Sequence, residues 1–109
     1  MSIQHSHLKD PKTVAFDALG NPIRREMIRL IAKEPKTVGE LSMVLPISRP
    51  AVSKHMKLLQ DAKLVTHKSV GTQNLFELDK QGFEDARDWI EEFWDDALTR
   101  FKLVAENTK

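Results

Sequence analysis

Apolar residues in the first third of the chain recur every three or four positions, which is the spacing of one face of an α-helix. The stretch TVAFDALG supplies four such positions: Val14, Ala15, Ala18 and Leu19. Gly20 suits the end of this helix. A second helix is predicted after Asn21, a good N-cap, with Pro22 as its first residue and Pro35 just past its end. Its apolar stripe consists of Ile23, Met27, Leu30 and Ile31.

Two shorter helices are predicted between residues 37 and 62. Thr37 and Glu40 have the spacing of a capping box, and the inward positions after them are Leu41, Val44 and Leu45. Ser48 is the N-cap candidate of the next helix, whose first turn tolerates Pro50 because its N–H groups lack intrahelical acceptors. The inward positions of this helix are Val52, Met56, Leu59 and Ala62. Two short helices joined by a turn of about three residues form a helix-turn-helix.

The period of the pattern changes after Lys63. The runs LVTHKSV and QNLFELD favour β-strands and are joined through Gly71 and Thr72, which predicts a two-stranded hairpin. Helical spacing returns after residue 80, where four apolar residues recur every seven positions: Phe83, Ile90, Ala97 and Val104. The predicted fold is therefore mainly α with a small β-hairpin, in the order α-α-α-α-β-β-α.

The last predicted helix has more apolar surface than its own chain can cover. Its seven-residue stripe is flanked by Ala86, Phe93, Trp94 and Phe101, whereas Trp89, Leu98 and Leu103 lie off it. Surplus apolar surface on a terminal helix indicates a partner helix, most simply that of a second copy. We expect a homodimer joined through this helix. The interface residues predicted on it are Ile90, Phe93, Trp94, Ala97, Phe101 and Val104.

Composition narrows the class of protein. A chain of 109 residues with 40% apolar content fits one domain, and the absence of cysteine excludes disulfides, thiolate metal sites and thiol nucleophiles. No apolar run approaches the roughly 20 residues that span a bilayer. The N-terminus MSIQHSHLKDPK also lacks the apolar stretch of a secretion signal. We therefore expect a cytoplasmic protein with no membrane partner.

The formal net charge of +1 conceals a division along the chain. Residues 20–76 contain ten Lys/Arg and four Asp/Glu, whereas residues 77–109 contain five and ten. Ordinary solvated helix faces are the simpler explanation of such a pattern taken alone. The division nevertheless indicates one surface that suits polyanions and another that repels them.

The fourth helix concentrates the basic residues on its outward face. With Val52, Met56 and Leu59 inward, this face can enter the major groove of double-stranded DNA. Arg49 can donate two hydrogen bonds to guanine, while Lys54 and Lys57 suit phosphates. The hairpin tip, Val70–Gln73, could reach an adjacent minor groove. The predicted DNA-binding residues are Thr37, Ser48, Arg49, Pro50, Ser53, Lys54, His55, Lys57, Lys68, Thr72 and Gln73.

The four histidines have competing interpretations. His55 can contact a base or a phosphate, or it can be a packed structural residue, and the sequence does not choose between the two. His67 on the first strand is interpreted as a surface residue. His5 and His7 could bind a metal together, although a terminus without periodic pattern favours no site.

The stretch NPIRREMIRLIAKEPKTVGELSMVLPISRPAVSKHMKLLQDAKLVTHKSVGTQNLFELD resembles the winged helix-turn-helix of ArsR/SmtB-type transcriptional repressors. The resemblance covers about residues 13–105 and is most specific in SRPAVSKHMKLLQDAKLV. It implies a homodimer, held by the first and last helices, whose two recognition helices bind an inverted repeat in successive major grooves, roughly 34–36 Å apart. The residues of the first helix predicted in this interface are Val14, Phe16 and Leu19. The predicted organisation is a flexible N-terminus (1–12), a winged helix-turn-helix DNA-binding domain (13–79) and a C-terminal dimerisation helix (80–109).

The sequence departs from the metal sensors of that family. Their third helix carries a cysteine pair where ELSMVL has Ser42 and Met43, and residues 80–109 contain no histidine. The carboxylates of the last helix could attract a hard cation but suit a solvated face better. Lys63 replaces the family's usual glycine before Leu-Val, which questions the tightness of that turn. Pro46 and the Trp-rich last helix resemble the metal-free branch, so no metal and no cofactor are predicted.

Three other functions compete with a DNA-binding repressor. A winged-helix protein-interaction module without DNA recognition would have its basic face neutralised by the acidic last helix. A metal-responsive repressor would need non-standard ligands. An enzyme has little support because tyrosine, thiols, phosphate-binding Gly-rich loops and His–carboxylate pairs at useful spacing are all missing. The sequence leaves the operator, the target genes and any small-molecule or protein effector unknown.

Overall fold

The computed structural model of the protein describes residues 10–106. Its elements are α1 (Pro11–Ala18), α2 (Pro22–Lys33), α3 (Val38–Val44), α4 (Arg49–Asp61), β1 (Val65–Val70), β2 (Gln73–Leu78) and α5 (Lys80–Glu106). This order confirms the predicted fold of five helices and one hairpin. The predictions for His5 and His7 lie outside the described residues. Between residues 10 and 106, no helix is sufficiently long and apolar to cross a membrane.

Short polar side chains determine where the first two helices begin. The Asp10 carboxylate accepts a hydrogen bond of 3.0 Å from the Lys12 N–H, and α1 therefore begins at Pro11. This is earlier than the predicted end of the flexible N-terminus at residue 12, because a helical cap needs no apolar residue. Asn21 Oδ1 accepts the N–H groups of Ile23 and Arg24 at 2.9 and 3.1 Å, so α2 begins at Pro22 as predicted.

Both helices of the predicted helix-turn-helix are capped as the sequence indicates. The Thr37 hydroxyl accepts the Glu40 N–H at 3.1 Å, and the Glu40 carboxylate accepts the Thr37 N–H at 2.9 Å, which completes the capping box. Ser48 Oγ accepts the Ala51 N–H at 3.3 Å at the start of α4. Each cap satisfies a donor that has no intrahelical partner.

One apolar cluster joins these helices to the hairpin. Its most deeply buried side chains are Met27, Leu41, Val52, Met56, Leu59, Leu64 and Val65. The inward prediction for Val44 was wrong, since its side chain is 66% exposed. Helix α3 turns about 100° per residue, and Leu41 and Leu45 already face the core, so Val44 is rotated away. Val38 occupies the inward position one turn before Leu41.

The hairpin is fixed to the helices at its base. Its strands pair antiparallel from Val65 opposite Leu78 to Val70 opposite Gln73. Gly71, the first residue of the two-residue turn, has φ 63°, which glycine adopts without steric cost. Lys36, between α2 and α3, exchanges two backbone hydrogen bonds with Phe76 of β2, at 3.0 and 2.8 Å. The hairpin therefore has a defined position beside the helix-turn-helix.

Helix α5 starts in tight contact with the turn after α4. Lys63 has φ 59°, so a residue with a Cβ adopts the left-handed conformation that the family usually gives to glycine. The Gly82 N–H donates to the Lys63 carbonyl at 2.7 Å, and a Cβ on Gly82 would lie 2.5 Å from that oxygen. The turn is thus tight despite Lys63. Beyond Ala86 most of α5 is exposed.

Candidate DNA-binding surface

A groove of about 750 Å³ runs between α4 and the hairpin tip. It brings together six of the predicted DNA-binding residues: Thr37, Arg49, Ser53, Lys57, Thr72 and Gln73. Met56 and Phe76 also line it. Three elements thus contribute to one concave surface: the N-terminus of α3, the outward face of α4 and the hairpin tip. A concave surface with donors on all sides suits a strand of phosphodiesters.

Arg49 lies against the first turn of α3. A Cβ built on Gly39 would be 3.5 Å from Arg49 Nη2, so the guanidinium group lies directly over that glycine. The helix dipole gives the N-terminus of α3 a partial positive charge, and Arg49 adds a full one. Both groups favour an anion at this end of the groove. Sequence reasoning missed Gly39, because its contact with Arg49 depends on the crossing of α3 and α4.

Two of the predicted cations pair with carboxylates of the same chain. Lys57 lies 3.5 Å from Asp61, one turn later on α4, and Lys68 lies 3.3 Å from Glu77 across the hairpin. Both pairs are largely exposed, so solvent and salt screen them and phosphate can compete for the lysines. Within residues 10–106, neither Arg49 nor Lys54 forms an ion pair, which leaves both available to DNA.

Five predicted residues do not line the groove: Ser48, Pro50, Lys54, His55 and Lys68. Ser48 and Pro50 are exposed at the start of α4, where Ser48 also caps the helix. Lys54 is exposed on α4 and Lys68 on β1. The groove also contains residues that the sequence analysis did not select, Gln60, Asp61 and Asn74. Their polarity gave no signal, because it does not distinguish them from other surface residues.

His55 lies on α4 and is half-buried against the start of α2. Its Nδ1 lies 3.2 Å from Arg24 Nη1, and the Arg24 Nε donates to the Ala18 carbonyl at 2.7 Å. Burial lowers the pKa of the His55 imidazole, and the neighbouring charges of Arg24 and Lys54 lower it further. Of the two interpretations of His55, this geometry supports the packed structural one.

His67 has more contacts than a plain surface residue. Its Nδ1 lies 2.9 Å from Gln60 Nε2 of α4, and its ring centroid lies 5.5 Å from that of Phe76. The side chain remains exposed, as predicted. These contacts tie the first strand of the hairpin to α4.

A second notable surface is the apolar face shared by α1 and α5. The Phe16 ring stacks on Trp89 with 4.5 Å between centroids, and Trp89 stacks on Phe93 at 5.8 Å. Trp89 was not among the predicted interface residues, because it lies off the seven-residue stripe. It is half-buried against α1, so α5 uses one side to hold α1 and leaves the other side uncovered.

The predicted interface residues divide into two groups. Val14 and Leu19 pack against the core of their own chain. Five residues are exposed, between 48% and 62%, along the length of α5: Ile90, Phe93, Trp94, Phe101 and Val104. Phe16 is 39% exposed and Ala97 is half-buried. The exposed group is far more apolar than an ordinary solvated helix face.

In a chain without cysteine, histidines and carboxylates are the side chains that could hold a metal ion. Within residues 10–106, no three His, Asp or Glu side chains are grouped so that they could hold a metal ion. The α5 carboxylates are spread along the helix, and Glu92 is engaged with Lys12 of α1. The expectation that the protein does not sense a metal stays a prediction.

Known proteins are similar to this chain in both sequence and fold. A family model described as a helix-turn-helix domain matches residues 19–68. The HTH-type transcriptional regulator Rv2034 of Mycobacterium tuberculosis is 41% identical over 93 residues, which are 85% of this chain and 87% of that protein. The crystal structure of a possible transcriptional regulator for arsenical resistance has a TM-score of 0.69 and 35% identity, covering 87% of this chain and 97% of the other.

A solution structure extends the comparison of folds. It is the homodimeric winged helix-turn-helix DNA-binding domain of Mb0332 from Mycobacterium bovis, a possible ArsR-family regulator. Its TM-score is 0.63 at 20% identity, and the match covers 100% of this chain and 92% of the other.

The elements and the groove define a winged helix-turn-helix protein. The chain belongs to the ArsR/SmtB-type family of these transcriptional regulators. It is a DNA-binding transcriptional regulator and not an enzyme.

Proposed function

We propose that two copies of this chain pair through α1 and α5, and that the dimer represses transcription by binding an inverted-repeat operator in double-stranded DNA. The observation that carries this proposal is the groove that gathers Thr37, Arg49 and Ser53 with the hairpin tip. A regulator of this kind acts on DNA inside the cell, so we place it in the cytoplasm.

The exposed side of α5 supports the pairing. Its aromatic and aliphatic residues continue from the Phe16–Trp89–Phe93 stack to Phe101. Water contact with so many large apolar side chains is unfavourable, at about 25 cal/mol per Å². A second α5 covers this face under two-fold symmetry without any other partner. The Mb0332 domain, which has the same fold, is homodimeric, and this agrees with the arrangement.

The DNA-binding residues contact different parts of the duplex. Arg49 and Ser53 face base edges in the major groove, whereas Lys54, Lys57 and Lys68 hold phosphates. Thr37 contacts a phosphate through its hydroxyl group, beside the N–H groups of Val38 and Gly39 in the first turn of α3. Thr72 and Gln73 reach the neighbouring minor groove. Repression follows if the occupied operator overlaps a promoter, because the bound dimer then excludes the polymerase.

An interaction module without DNA recognition is the competing function. That function requires the basic face to be neutralised by acidic residues of α5. The carboxylates paired with Lys57 and Lys68 come from α4 and β2 instead, while Glu92 of α5 pairs with Lys12 of α1. The acidic helix therefore does not cover the groove, which favours DNA as its ligand.

The test is selection of duplexes from a random-sequence pool, followed by titration of the enriched duplex at several salt concentrations. We expect an inverted repeat with half-sites one helical turn apart. We also expect log K to fall linearly with log salt, at about −0.9 per phosphate neutralised. Enrichment of no common sequence, together with a flat salt dependence, would contradict the proposal and favour the interaction module.

A further inference from the structure

Arg24 connects the end of α1 to the recognition helix α4. Its Nε donates to the Ala18 carbonyl in the last turn of α1 at 2.7 Å, and its Nη1 lies 3.2 Å from His55 Nδ1 on α4. The backbone N–H of Arg24 is itself held by the Asn21 cap at 3.1 Å. The backbone and the guanidinium group of Arg24 are therefore both held, and the guanidinium group bridges α1 and α4.

The bridge requires a neutral His55. A guanidinium group only donates hydrogen bonds, so His55 Nδ1 must be the acceptor and cannot carry a proton. Protonation of the imidazole would place a cation against Arg24 of α2 and beside Lys54 of α4, the charged groups that act on His55 here. The same charges and the partial burial lower the pKa of His55, which keeps the acceptor available at neutral pH.

The other side of α1 is attached to α5. Phe16 stacks on Trp89 at 4.5 Å, two residues before Ala18, whose carbonyl receives Arg24. Arg24 is thus the polar contact through which α1, and with it α5, holds the half of α4 that carries His55. The opposite face of that half presents Ser53 and Lys57 to the groove.

We propose that Arg24 and His55 form a positioning pair that sets the angle of the recognition helix relative to α1 and α5, and thereby the base preference of the protein. This inference rests on the proposed function, since an angle between these helices matters for DNA only when two copies bind one duplex. Neither side chain touches DNA. Their effect reaches the bases through the orientation of Arg49 and Ser53.

Arg25 supplies a matched control. It is the next residue on α2 and donates to the Leu19 carbonyl at 2.8 Å, but its guanidinium group is exposed. Arg24→Gln and Arg25→Gln both remove one positive charge and one bond to the end of α1. Only the first removes the contact with His55. We expect Arg24→Gln to lower the ratio of selected-duplex to random-duplex affinity by about tenfold, as for loss of one charge-assisted hydrogen bond. Arg25→Gln should leave that ratio unchanged.

A pH series separates positioning from a merely structural role. We expect the ratio for the wild type to fall as the pH drops below the ordinary imidazole pKa of about 6.5, because the lowered pKa of His55 delays its protonation, and the loss of the bond to Arg24, to that more acidic range. His55→Gln keeps an acceptor that does not titrate, so its ratio should stay constant across this range. Sedimentation and thermal unfolding at each pH establish that the dimer is intact and folded.

The outcomes are distinct. Equal ratios for Arg24→Gln and Arg25→Gln would overturn the positioning pair while leaving the proposed function standing. A wild-type ratio that rises on acidification, and does not in His55→Gln, would also overturn it, since His55 would then bind DNA as a cation. A wild type that prefers no duplex at any pH would instead overturn the proposed function.

Discussion

Apolar side chains are buried in one region of the molecule and exposed in another. In the winged helix-turn-helix domain, Met27, Leu41 and Val52 are completely buried by residues of their own chain. Along α5, Phe93 and Phe101 are about 60% exposed although they are larger. The first region excludes water with side chains of its own chain, whereas the second leaves large apolar side chains in contact with water. The pairing of α5 proposed above accounts for this difference, and it would separate the stability of one chain from the stability of the dimer.

The largest expected effect is on stability and comes from a substitution in the buried core. Leu59→Ala removes a completely buried side chain of α4 and should lower the free energy of unfolding by about 2–5 kcal/mol. Denaturant titration measures the change. Met43→Ala is the control, because Met43 is 85% exposed and should change stability little. A similar loss in both variants would mean that this core does not carry the stability.

The second prediction concerns the incomplete region. Replacing Phe93 and Trp94 with Ala should weaken self-association by at least about 2 kcal/mol, as for interface hot spots. Sedimentation across a concentration series measures this change. The unfolding free energy of the separated chain should change little, because both residues are exposed within it. A dimer that stays intact in this variant would remove the interface proposed here.

The third prediction addresses the groove. Arg49→Ala should weaken binding to the selected duplex by about 1–3 kcal/mol and relax preference at one base position, since a bidentate contact to guanine is lost. Arg29→Ala is the control, because Arg29 is an exposed cation of α2 paired with Glu26. Unaltered preference at every base position would exclude a base contact for Arg49.

The smallest expected effect concerns the turn between the two regions. A left-handed conformation costs a residue with a Cβ about 1–2 kcal/mol, and Lys63→Gly removes this strain. Because glycine also gives the unfolded chain more conformational freedom, we expect the free energy of unfolding to rise by only about 0.5–1 kcal/mol. Lys63→Ala keeps the Cβ and should gain nothing. Both variants remove the lysine charge, so a difference between their thermal unfolding temperatures reports the backbone conformation alone. Equal stability of the two variants would mean that this turn is not strained.

Features encoded by neighbouring residues were predictable from the sequence. Asn21, Thr37 and Ser48 fix helix starts through atoms two or three residues away, and these caps are all present. The inward stripe of α4 was correct for the same reason, since one period governs thirteen residues. Val44 was mistaken because a seven-residue helix gives the period too little length to fix its phase.

Features that depend on distant residues were not predictable. The position of Arg49 over Gly39, the Arg24–His55 contact and the stacking of Trp89 on Phe16 each join separate helices. No local pattern encodes the angle at which two helices cross. The candidate site was therefore recognisable as a set of residue types on one helix face. Its shape, and the exclusion of His55 from the groove, needed the structure.

The contact of Gly82 with the Lys63 carbonyl has a mechanical consequence. Because no side chain separates them, the long helix is seated directly on the end of the recognition helix, with no intervening linker to absorb motion. In a symmetric pair, the spacing between the two recognition helices would then be dictated by how the long helices meet. A ligand that slides one long helix along the other by a few ångströms would alter which operator spacing fits.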